Sequence, residues 1–138
     1  VFAKYPKLKF CFAHGGGSFA HTVGRINHGY QCRPDLIQIN VRGDEHEPYK
    51  YCGKFWVDTL VHDENAFNYL VSVVGKDKVI MGTDYPFPLG ECYPLKKMGE
   101  LVENHPDFDA KDKLQMLWLN GLHFVGRQES DFLDAKPE

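Results

Sequence analysis

Three short apolar runs, 8–13, 54–61 and 78–83, each stop at a polar or glycine-broken turn, and a helical pattern follows each. Apolar runs of this length read as strands buried on both faces, and the intervening helices are the connections a parallel sheet requires. The order is βα, βα, βα(α). That order is severely limiting, because three parallel strands leave two open edges and need helices over both faces. A closed (β/α)8 barrel solves the problem but takes ~250 residues, whereas this chain has 138. The expected fold is therefore α/β, the last three or so βα units of a (β/α)8 TIM barrel. Residues 1–126 form the barrel portion and 127–138 a polar tail.

The helices can be placed from capping residues and spacing. Ser18 is a candidate cap for a helix whose Phe19, Val23, Ile26 and Tyr30 make one apolar stripe, with His21, Arg25, His28 and Cys32 on another face. Arg33-Pro34-Asp35 stops it, since proline disfavours helical backbone in the residue before it. Residues 34–53 read as a loop with a short helix. Asp63 caps a helix whose Phe67, Leu70, Val71 and Val74 share a face and which Gly75 closes. Two further helices are expected at 94–104 and 109–124, the second capped by Asp109, with Leu114, Leu117 and Trp118 facing inward.

Composition narrows the function. With 43% hydrophobic and 25% charged residues and a net charge of -3, the chain lacks the basic surface of a nucleic-acid or anionic-membrane binder. No apolar run reaches the ~18 residues of a membrane span. Residues 1–9 have neither the apolar centre nor the cleavage motif of a signal peptide. They read as the middle of a helix-to-strand connection, so further chain is expected upstream. Cys11, Cys32, Cys52 and Cys92 are spread without a Cys-x-x-Cys pair, and reduced thiols of a cytosolic protein are expected over disulfides or a zinc site.

Chemistry in parallel α/β folds sits beyond the carboxyl ends of the strands. His14 stands there before three glycines, which remove side chains and let a substrate approach the backbone. It suits proton transfer at neutral pH, metal ligation or a structural role. Asp84, in Gly82-Thr-Asp84-Tyr-Pro86, suits a cation, a proton-transfer water or a capped turn. Asp58 lies within the second strand as a possible buried carboxylate, and His62 ends that strand. Arg25 reads either as a solvated arginine or as a carboxylate clamp at a subunit contact, and Arg33 as a weaker candidate for the same. The remaining histidines lack metal-ligand spacing.

With these residues assembled, the chain resembles the metal-dependent amidohydrolase superfamily, and within it a decarboxylase branch. The carrying segments are Phe12–Gly17, Thr22–Ile26, Arg33-Pro-Asp35, Val61-His-Asp63 and above all the stretch from Gly75 to Glu91. The likeness runs from Val1 to about Gly126 and weakens after Cys92. It implies a barrel of the amidohydrolase type carrying a catalytic Zn2+, with Asp84 as a metal ligand after the eighth strand and His14 doing acid–base work after the sixth. It also implies a homodimer in which Arg25 reaches the neighbouring subunit's site and binds a substrate carboxylate. The implied reaction is decarboxylation of 2-amino-3-carboxymuconate-6-semialdehyde to 2-aminomuconate semialdehyde in tryptophan–kynurenine catabolism, upstream of quinolinate. The family's His-x-His of the first strand and ligand histidine of the fifth have no counterpart in these residues, so the zinc site is completed by chain beyond them. Another amidohydrolase-superfamily hydrolase, an aromatic-acid decarboxylase, and an inactive dimer-interaction module remain open alternatives.

Overall fold

In the computed structural model, which describes residues 1–39, 41–92 and 94–133, the three apolar runs lie side by side as parallel strands. They are β1 (Cys11–Phe12), β2 (Trp56–Asp58) and β3 (Val79–Ile80), in that spatial order. Cys11 stands opposite Trp56 and Phe12 opposite Val57, while Val57 and Asp58 face Val79 and Ile80. The paired strands are shorter than the apolar runs. Ladder hydrogen bonds need overlapping neighbours, and only β2 has one on each side. Its Trp56 and Val57 are buried, whereas both residues of the edge strand β1 are exposed.

Helix α1 (Phe19–Cys32) follows β1, and Arg33-Pro34 ends it as expected. Its start differs from expectation: the Ser18 side chain makes no capping hydrogen bond, and Thr22 Oγ1 instead donates back to the Ser18 carbonyl at 2.9 Å. The buried face is Ala20, Val23, Asn27 and Tyr30, with Ile26 left exposed. Asn27 wins the inner position because its Oδ1 accepts the Tyr49 N–H at 3.1 Å, tying the helix to the following loop. That loop holds α2 (Pro34–Ile37) and two short 3-10 turns, Asp44–His46 and Pro48–Tyr51.

Helix α3 (Glu64–Val74) matches its pattern closely. Phe67, Leu70, Val71 and Val74 are buried, Gly75 ends the helix with φ +92°, and Asp63 Oδ1 accepts the Ala66 N–H at 2.8 Å. Loss of such a cap costs about 1 kcal/mol. Asp63→Ala is therefore expected to lower the urea midpoint by a corresponding amount with an unchanged slope; an unmoved midpoint would refute the capping role.

The two C-terminal helices depart further. Of 94–104, only α4 (Glu100–Glu103) is helical. Gly99 sits before it at φ +76°, and its N–H donates to the buried Glu91 Oε2 at 2.6 Å, which halts any upstream extension. Asp109 caps α5 (Ala110–Leu114) as expected, accepting the Asp112 N–H at 2.8 Å. That bond holds the Asp109 carboxyl below its ordinary 3.8, so its stabilisation is present above that pH and is lost as acidification passes the folded value. A wide π turn, Gln115–Leu119, then separates α5 from α6 (Asn120–Val125).

The π turn is tied to the sheet: the Met116 carbonyl accepts the Met81 N–H at 3.1 Å, a partner beyond the end of β3. The inward face rotates in consequence. Met116 and Leu122 are buried, Leu117 packs against the core, and Leu114 and Trp118, expected inside, are exposed. Buried Asn120 donates to the carbonyls of Lys76 and Val79, both at 2.7 Å, and so fixes this helix against β3. In the tail, Ser130–Leu133 (α7) is helical, and residues 134–138 of the expected polar tail lie outside the described residues. No helix among the described residues is long and apolar enough to cross a membrane, and all four cysteines are free thiols.

Candidate active site at the strand ends

The chain leaves β1 through a turn that only this sequence tolerates easily. His14, Gly15, Gly16 and Gly17 all have left-handed backbone, with φ of 57°, 61°, 74° and 61°. Glycine adopts it without steric penalty, but histidine does so rarely. At Gly15 a side chain is excluded twice over, by that φ and by Val61 and Leu70, which occupy the place of a Cβ.

Asp84, just beyond β3, is also left-handed at φ +55°. Its turn is closed by the Phe87 N–H donating to the Asp84 carbonyl and the Glu91 N–H donating to the Thr83 carbonyl, both at 2.8 Å. These two turns bring His14 Nε2 to 3.4 Å from Asp84 Oδ1. The imidazole is 59% exposed and the carboxylate 24%, so the pair has one open side toward which a ligand can approach. His14 and Asp84, expected at the strand ends, therefore do meet.

Below them Asp58 Oδ1 accepts the N–H groups of Gly15 (2.8 Å) and Leu60 (3.1 Å), which makes this carboxylate a bonded, half-buried group. The Cys11 thiol is nearby: burial, and then the Asp58 charge, push it above its ordinary value and keep it protonated at neutral pH. His62 is a third left-handed residue other than glycine, at φ +59°, and its Nδ1 accepts from Lys96 Nζ at 3.1 Å. Strain repeated at all three strand ends is a signal that periodicity does not carry.

The two arginines separate. Arg33 is occupied by Asp35 through two hydrogen bonds of 3.0 and 2.8 Å, which raise its own pKa and lower that of Asp35. Arg25 is exposed on α1 and makes no ion pair among the described residues, nor does it join His14 and Asp84. A recess of about 540 Å³ opens beside Gly16, walled by Phe2, Phe12, Phe19, Tyr51 and Phe55. It is mostly apolar, and neither His14 nor Asp84 lines it.

One imidazole and one carboxylate at this spacing have the chemistry to share a proton or to donate to a metal ion. A catalytic zinc normally takes three protein ligands, and no group of three candidate ligands occurs among the described residues. The donor chemistry fits a divalent cation, and a catalytic site would need further ligands beside this pair.

Comparison with known proteins places these features. The chain is 49% identical over 133 residues to a 2-amino-3-carboxymuconate-6-semialdehyde decarboxylase of Dictyostelium discoideum, covering 96% of this chain and 35% of that protein. It is 42% identical over 130 residues to one of Caenorhabditis elegans so named, covering 94% and 31%. The chain thus spans about a third of the length of the curated relatives it matches. A dihydroxybenzoic acid decarboxylase of Polaromonas, solved with bound manganese and an inhibitor, superposes with a TM-score of 0.70 at 19% identity, covering 96% of this chain and 38% of that one. The three βα units are accordingly a portion of a (β/α)8 barrel of the amidohydrolase type. The family profile described as Amidohydrolase matches residues 1–127, and the chain belongs to that family.

Proposed function

We propose that this chain is the C-terminal third of a cytosolic, metal-dependent decarboxylase that converts 2-amino-3-carboxymuconate-6-semialdehyde to 2-aminomuconate semialdehyde in tryptophan–kynurenine catabolism. The observation that carries the reading is the 3.4 Å approach of His14 to Asp84 at parallel strand ends, in a chain 49% identical to a relative of that name. Residues 1–126 contribute the barrel portion, and 127–138 are an appended tail.

In this reading Asp84 is one ligand of a divalent cation, zinc being the choice the resemblance favours, and the other ligands come from strands outside this chain. When bound, that cation supplies Lewis-acid polarisation of oxygen. His14 moves the proton: its Nε2 faces the Asp84 carboxylate and its ring is open to solvent on one side. Arg25, free of an ion pair among the described residues, presents a guanidinium fork that matches a carboxylate bidentately. On the outer face of α1 it serves the site of a second subunit, which makes the working form a homodimer.

The experiment is metal content and CO2 release, measured on this chain alone and on the complete protein with its remaining strands. Metal binding and turnover by the complete protein alone are expected. Turnover by neither would sink the decarboxylase reading, and a monomer on sedimentation would remove the trans role of Arg25. The same assay with a panel of hydroxybenzoic acids addresses a second reading, favoured by the Polaromonas structure: faster turnover of an aromatic acid would replace the muconate substrate.

A further inference from the structure

Asp58 closes β2, the central strand, and touches both strand ends that carry the candidate pair. On one side its Oδ1 accepts the N–H of Gly15, the residue after His14. On the other lies Gly82, two residues before Asp84, so close that a Cβ there would stand 2.7 Å from the Asp58 Cβ and 3.1 Å from Oδ2. Among the described residues Asp58 is the sole acidic residue within a strand. A backbone N–H donated to a carboxylate is roughly twice as strong a bond as a neutral one. It falls here on the residue next to His14, whose left-handed backbone, rare for a residue other than glycine, persists only when its surroundings hold it.

We propose that Asp58 is a positioning residue: it sets the His14 turn through the Gly15 N–H and, through its contact with Gly82, the separation of His14 from Asp84. Its effect on rate rests on the decarboxylase reading above, and its effect on the turn does not. Asp58 acts through His14 and touches neither substrate nor cation.

The test compares Asp58→Ala with Asp58→Asn in the complete protein. Asparagine offers an Oδ1 that can still accept from Gly15 and Leu60, whereas alanine offers nothing. Misplacing a reacting group by an ångström lowers rate by about 10²-fold, so kcat is expected to fall by about that factor in Asp58→Ala and to be restored to within about threefold in Asp58→Asn. Asp58→Ala placed on top of His14→Ala is expected to add no further loss, because residues that act as one unit are not additive. Exchange of the Gly15 amide, followed by NMR on 15N-glycine-labelled protein, is expected to be slow in the parent and in Asp58→Asn and fast in Asp58→Ala.

Multiplicative losses in the double variant would overturn the proposal. So would an Asp58→Asn variant as impaired as the alanine one, which decides the matter even if Asp58→Ala does not fold. If the parent releases no CO2, the decarboxylase reading fails by itself, and Gly15 exchange still decides the positioning role, with unaltered exchange on losing the Asp58 carboxylate counting against it.

Discussion

His14→Ala in the complete, metal-loaded protein is expected to lower kcat by about 10²–10⁴-fold, the range that a positioned general acid–base contributes. In the proposed function the imidazole carries the proton at the strand ends. Its neighbours in the turn are three glycines, and Asp84 faces it at 3.4 Å. Metal content should survive the change, since in this reading Asp84 and ligands outside the chain hold the cation. Steady-state kinetics with metal analysis on the same sample separate the two roles. A kcat within a few fold of the parent would remove His14 from the chemistry. A full loss of metal would make it a ligand instead.

Phe67→Ala is expected to cost about 3–5 kcal/mol, the range for emptying a buried aromatic site. Phe67 is fully buried on α3 and packs edge-on against Phe108, with ring centroids 5.7 Å apart and planes at 85°, while the buried His105 ring lies 5.9 Å away. These rings join α3 to the segment between α4 and α5, so the cavity would sit where two βα units meet and could not close by moving one side chain. Domains have only about 5–15 kcal/mol in total, so the variant should lose much of its urea resistance at unchanged slope. A loss below about 1 kcal/mol would mean that the site collapses around the gap.

How much was legible beforehand depended on the range of the interaction. Asp63 and Asp109 were readable as caps because each bonds an N–H three residues away. The face of α3 was readable because one helix packs one stripe against the sheet. The inward face of 109–124 was misread for a reason equally physical: the carbonyl of Met116 bonds Met81, 35 residues back, and no spacing within a helix encodes such a partner. Ile26 and Asn27 exchanged places on α1 because a loop N–H 22 residues on needed an acceptor.

The candidate site divides in the same way. By itself the sequence determined the three apolar strand runs, the glycine-rich break after His14, the turn at Asp84 and hence the placing of both residues at strand ends, since each follows from short-range patterning and steric freedom. The tertiary structure alone decided that the two side chains meet, that Asp58 is bonded to Gly15 43 residues away, that Arg33 is occupied while Arg25 is exposed, and that His62 shares the left-handed conformation of the pair. The first two are consequences of parallel strand order and register, which align residues distant in sequence, and local propensity carries no information about which distant groups will be aligned.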